Sequence, residues 1–173
     1  MQRFASCLAM LLAATMSASA QPASAQPPAS CPWLTLGTAS RLLGESASVH
    51  VQLADGGTGS CVFQPQSAPG SVPVPTLRLT VSAHATAVCD AHATPLRGIG
   101  NRAEECLLPA SSGADMRTAV TRIAGQVREH WFVLDGAALP TASLHNPAPR
   151  WPDESTLPTQ LELAAEQVAD NLY

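Results

Sequence analysis

Hydrophobic residues recur along this chain with two different periods, and each change of period marks an element. Leu36, Ala39, Leu42 and Leu43 fall at helical spacing. Thr35 before them is a residue type whose hydroxyl takes up a free first-turn amide, and Gly44 after them suits the left-handed position that ends a helix. The spacing predicts a short helix over 36–43. The period then becomes two. Val49, Val51 and Leu53 alternate with Ser48, His50 and Gln52, the pattern of a half-buried strand. Asp55 to Gly59 reads as a turn, and Ser60 to Gln64 as the hairpin partner. A proline-punctuated loop over 66–75 precedes a third alternating stretch, Leu77, Leu79 and Val81, predicting a strand over 76–84.

The second half is less regular. Residues 85–97 read as helix or loop, Gly98 to Asn101 as a turn, and Ala103 to Leu108 as a short strand or turn. Thr118, Val120 and Arg122 to Ala124 form a strand. Gly125-Gln126 is expected to turn the chain, and Val127 to Leu134 to return, with Val127, Glu129, Trp131 and Val133 on one face and His130, Phe132 and Leu134 on the other. Residues 135–158 hold five prolines and little pattern, a long irregular loop. A closing helix is predicted over 158–171. Pro158 sits in its first turn, Leu161, Ala164, Ala165, Val168 and Leu172 form its apolar stripe, and Glu162, Glu166, Gln167 and Asp170 face outward. Trp33 and Trp131 are expected in the core. Helix, strands, strands, helix implies one α+β domain over 31–173, a twisted antiparallel sheet packed by N- and C-terminal helices.

The first residues carry a different signal. Arg3, the short apolar run Leu8 to Met16, and the small-residue triplets Ala18-Ser19-Ala20 and Ala23-Ser24-Ala25 follow the order of an export signal. We read residues 1–25 as a signal peptide, cleaved after Ala20 or Ala25, and 26–30 as a flexible proline-rich leader. The apolar run is too short to span a bilayer. Pro28-Ala29-Ser30 before Cys31 lacks the apolar residue of a lipidation box, so the expectation is a soluble exported protein, periplasmic or extracellular, without stable membrane insertion after cleavage. The whole 173-residue chain carries a formal charge of −4, and −5 once Arg3 has left. Its nine basic residues are all arginine and are scattered, which excludes an electrostatic footprint for nucleic acid.

Export changes the meaning of the cysteines. Cys31, Cys61, Cys89 and Cys106 lie beyond the signal, whereas Cys7 leaves with it. Four thiols in an exported chain of this size read as two disulfides, and no Cys-x-x-Cys suggests redox work. Cys89-Asp90-Ala91-His92 with His84 is a conceivable zinc-ligand set, set against a disulfide cysteine near two surface histidines. His50 and His130 are expected as partly exposed strand residues, and His145 as a loop residue. There is no Gly-x-Ser-x-Gly and no His-Glu-x-x-His. The carboxylates come as adjacent pairs, Glu104-Glu105 and Asp153-Glu154, and neighbours on a strand point to opposite faces, so neither pair flanks one substrate bond. Gly98-x-Gly100 lacks the third glycine of a dinucleotide loop. No catalytic residue, metal ligand or cofactor is assigned. Arg150 and Trp151, in the proline-rich loop, are the candidate binding residues; the alternative is that Trp151 folds down over the sheet.

Some local motifs resemble one bacterial family. Cys31-Pro-Trp-Leu-Thr with Leu43-Gly44, then Cys61-Val-Phe63, Gly98-Ile-Gly-Asn-Arg-Ala103, and the closing Val168-Ala-Asp-Asn-Leu172 are similar to a set of small exported domains of unknown function, common among actinobacterial lipoproteins. The resemblance implies a Mog1/PsbP-like α/β sandwich and an envelope location, with no activity and no catalytic residues. Within that layout the pairing Cys31–Cys61 with Cys89–Cys106 is favoured over the other two connectivities. The expected role is a non-catalytic accessory that binds a protein or small ligand in the cell envelope. The alternative is a hydrolase or metal-dependent enzyme whose site is assembled from unremarked residues.

Overall fold

The expected first helix forms as α1, Leu36–Leu43, in a computed structural model that describes residues 30–67, 75–85, 89, 93–108, 120–137 and 157–173. The signal and most of the leader therefore lie outside the described residues, as do Arg150 and Trp151. Thr35 caps α1. Its Oγ1 accepts the amide of Thr38 at 3.2 Å and its carbonyl the amide of Ala39 at 3.1 Å. Gly44 ends the helix at φ 73°, a conformation that costs glycine nothing.

Among the described residues seven strands follow: β1 Ala47–Ala54, β2 Thr58–Pro65, β3 Thr76–Ser82, β4 Thr94–Leu96, β5 Arg102–Leu108, β6 Val120–Val127 and β7 His130–Ala137. The helix α2, Leu157–Leu172, closes the chain. All the strands belong to one sheet in the order β1-β2-β3-β7-β6-β5-β4, and every pairing is antiparallel. Two meanders, β1–β3 and β4–β7, thus meet at β3 and β7, and the chain crosses from the centre of the sheet to its far edge between Ser82 and Thr94. The domain is α+β with strand content dominant.

The alternation read from the sequence sets the two faces. Val49 lies opposite Phe63, Phe63 opposite Leu77, Leu79 opposite Leu134, and Leu134 opposite Ile123. Phe63, Leu77, Leu79, Ile123 and Leu134 form one cluster with Leu42 and Leu43 of α1 and Leu161, Ala164, Ala165 and Val168 of α2, and Val49 packs against it. Helix α1 packs on β1, β2 and β3, and α2 on β6, β7 and α1. Fully burying a leucine or phenylalanine is worth about 1.5–3 kcal/mol, so this covered face supplies most of the hydrophobic stabilisation.

Three expectations are corrected. Gly125-Gln126 is not a turn: β6 runs on to Val127, and Arg128-Glu129 turn the chain. The turn is fixed from a distance. Asn101 Oδ1 accepts the Arg128 amide at 2.6 Å, the Asn101 amide donates to the Gln126 carbonyl at 2.7 Å, and Arg128 takes φ 53°. Gly125 serves packing instead, since a Cβ there would lie 2.5 Å from the Phe132 ring. Trp131 is not in the core. It lies on the opposite face from Phe132, half-buried, with the Arg102 guanidinium 5.5 Å from its ring centre. Finally, residues 94–96, where the sequence predicts helix or loop, pair with β5 as a short edge strand.

Candidate functional site

Both cysteine pairs sit at disulfide distance, Cys31 with Cys61 and Cys89 with Cys106, at Cα separations of 5.9 and 5.7 Å, within the usual range. They lie on opposite faces of the sheet. Cys61 belongs to the cluster under the helices, and Cys31 packs against it. Cys106 alternates with Ala103 and Glu105 of that covered face, so it points to the other, open face, which no helix of the described residues covers; there it meets Cys89 from the β3–β4 connection. Cys89 is therefore engaged as a disulfide sulfur rather than as a thiolate ligand. His84 is exposed, and His92 lies outside the described residues. Among the described residues no three His, Cys, Asp or Glu side chains come together in a way that would hold a metal ion.

The polar groups of the open face satisfy one another. Arg122 makes a two-pronged pair with Asp135, at 2.7 Å from Nε and 3.0 Å from Nη2, and this bond raises the already high guanidinium pKa. Glu104 accepts the Cys89 amide at 3.2 Å and lies 3.9 Å from Arg102, which in turn covers Trp131. The recess among Arg102, Glu104 and Trp131 has a volume of about 10 Å³, room for one water at most. That arrangement is structural. Glu105, the neighbour of Glu104, points to the covered side as strand geometry requires. Burial, and then the negative charge of Glu162 on α2, push its carboxyl pKa up.

The larger concavity lies on the other side of the molecule, between the two helices. Thr38, Arg41 and Leu42 of α1 face Gln160, Leu163, Glu166, Gln167 and Asp170 of α2 across a groove of about 550 Å³, a size that suits a small ligand or a few peptide residues. Its walls are held in place. Asn171 Nδ2 donates to the Trp33 carbonyl at 2.9 Å, joining the end of α2 to the segment before α1, and the Cys31–Cys61 bridge ties that same segment to β2. Arg41 Nη2 donates to Thr38 Oγ1 at 3.3 Å.

Two features of the groove go beyond shape. Leu163 is 59 % exposed on a helix whose other large apolar side chains are largely buried. The Oε1 atoms of Gln160 and Gln167 are shielded from solvent and have no hydrogen-bond partner among the described residues. An unsatisfied buried acceptor costs about 1–3 kcal/mol, and turning either amide over would leave its NH2 group with the same need. The residues are seven apart, two helical turns, so they share one face of α2 with Leu163 between them. The apolar stripe of α2 predicts Gln167 simply outward and gives no cue to Gln160. The legible signal was Leu163, an apolar residue off the stripe of an otherwise amphipathic helix.

No family model, curated protein or solved structure matches the chain.

Proposed function

We propose that this chain is an exported, non-catalytic accessory protein of the cell envelope or its surroundings, and that it binds a short apolar peptide segment with a basic end in the groove between α1 and α2. The groove carries this reading. Leu163 offers apolar contact over a floor that includes the buried Leu42, Gln160 and Gln167 offer side-chain acceptors that a change of rotamer brings to a ligand's N–H groups, and Glu166 and Asp170 place two negative charges on the α2 rim against the single positive charge of Arg41. The order of residues 1–25 supports export, and two disulfides suit an oxidising compartment. No helix among the described residues is long and apolar enough to cross a membrane. Membership of the small exported domain family that the local motifs resemble belongs to the same proposal.

The test uses the secreted protein and a panel of short peptides that combine leucine or valine with one terminal arginine or lysine. Amide and side-chain NMR shifts are expected at Leu42, Gln160, Leu163 and Gln167, and Leu163→Glu should weaken binding by about tenfold or more, the loss of one good apolar contact. Shifts spread over the open face of the sheet, or binding indifferent to Leu163→Glu, would overturn the reading.

A further inference from the structure

The two edges of the sheet differ in a way that points to self-association. One edge, β4, is three residues long and contains Pro95, and short strands and prolines are common means of blunting an edge. The other edge, β1, is eight residues long and pairs with β2 without interruption from Ala47 to Ala54. It has no proline, no bulge, and no charged residue between Glu45 and Asp55. Among the described residues nothing pairs with its outer side.

The free backbone groups of this edge can be assigned. The Gln66 amide donates to the Ser46 carbonyl at 2.9 Å, which makes Ser46 and Gln66 a hydrogen-bonded pair of the β1–β2 ladder. Such pairs alternate along an antiparallel ladder, so Ser48, His50 and Gln52 also bond inward to β2. The N–H and C=O groups of Ala47, Val49, Val51 and Leu53 point outward. Ala47 is already engaged: its amide donates to Ser40 Oγ at 3.0 Å, and its carbonyl accepts from Gln66 Nε2 at 3.2 Å. The free set is Val49, Val51 and Leu53.

We propose that β1 pairs antiparallel with β1 of a second copy, with Val51 on the two-fold axis. Val51 then faces its own copy and Val49 faces Leu53, so the three free residues of each chain satisfy those of the other. Side chains of equal parity stay on one face. Val49, Val51 and Leu53 extend the apolar row of the covered side, and the exposed Leu53 (62 %) gains an apolar neighbour. On the open side His50 meets Gln52. The neighbouring register, centred on His50, needs the occupied groups of Ala47 and sets His50 against His50, so it is the poorer match. Because the paired segment is uncharged, two net-negative molecules meet there without opposed like charges. A single pair of strands buries less than the roughly 1,200 Å² at which stable interfaces begin, so the dimer forms in a concentration-dependent way.

Sedimentation of the secreted protein over a concentration series tests this, combined with amide hydrogen exchange at low and high concentration. The expected result is a mass that rises toward twice the monomer, with Val49, Val51 and Leu53 amides becoming protected as it does. Leu53→Lys, at an exposed edge position, should raise the dimer dissociation constant at least about tenfold, and Val51→Pro should abolish the dimer by removing an outward N–H. Leu107→Lys, equally exposed on β5 (69 %), should leave it unchanged. A monomer at every concentration overturns the proposal. So does a dimer indifferent to Leu53→Lys, or protection of these amides already complete in the monomer, which would mean that another segment of the chain occupies the edge.

Discussion

Single residues decide how closely the layers of this molecule approach. Gly125 and Gly136 both lie on the covered face of the sheet. A Cβ at Gly125 would meet the Phe132 ring at 2.5 Å, and one at Gly136 would meet Leu161 Cδ1 of α2 at 2.9 Å. Overpacking of this kind costs about 1–3 kcal/mol, so Gly125→Ala and Gly136→Ala should each lower the unfolding free energy by that measure, read as a lower midpoint in urea denaturation. Gly37 is the contrast. It lies inside α1, where an added Cβ finds only Thr35 Oγ1 at 3.9 Å, so Gly37→Ala should stabilise by about 0.5–1 kcal/mol. Glu105 shows a different residue-scale effect. Its carboxyl pKa lies above the usual 4.5 in the folded chain, so the folded state binds protons more readily than the unfolded one. Its contribution is most favourable at low pH, where the group is protonated in both states, and is lost as pH rises through the raised value. Glu105→Gln should remove that part of the pH dependence in denaturation curves recorded from about pH 4 to pH 7. Glu105 is only half-buried, and solvent screens part of the charge of Glu162, so the gain near neutral pH is small.

At the scale of elements, the two disulfides pin different things. Cys31–Cys61 closes a separation of 30 residues and holds the segment that leads into α1. Cys89–Cys106 closes 17 residues and holds the β3–β4 crossing to β5 on the open face. The chain-entropy model assigns each about 3–4 kcal/mol. Paired serine replacement at either bridge should therefore lower unfolding stability by up to that amount in chemical denaturation. Only the Cys31/Cys61 variant should loosen the helix groove, seen as faster amide exchange in α1; equal loosening by the Cys89/Cys106 variant would contradict the separation of the two faces. The element boundaries also show where local reading works. Helix α1 carries its own cap and stop in Thr35 and Gly44, and both are visible in the sequence. The β6–β7 turn is fixed by Asn101, 27 residues before Arg128, so a glycine placed in the strand for packing looked like the turn.

At the scale of the whole molecule, the sheet divides two kinds of surface. The open face is cross-linked by a disulfide, a bidentate ion pair and an arginine–tryptophan stack, and its recess has no room for a ligand. The covered side carries two helices and, between them, a groove some fifty times larger. The proposed binding role and the proposed pairing through β1 use separate surfaces, so the two tests are independent: the peptide assay reads α2, and the sedimentation assay reads the sheet edge.

The alternation of hydrophobic positions determined by itself that strands follow a short helix, and which residues of β1 and β3 lie on the covered side, because side-chain burial on a strand has a period of two and needs no partner to be read. The amphipathic stripe of α2 and the presence of disulfides were legible for the same reason, since both are properties of spacing and residue type. Only the tertiary structure decided the strand order, the placement of the two bridges on opposite faces, the half-buried position of Trp131 away from the helices, and the groove that brings Arg41 and Leu42 opposite Gln160, Leu163 and Gln167. Those features join residues far apart in the chain, and their energies come from contacts that local pattern does not encode.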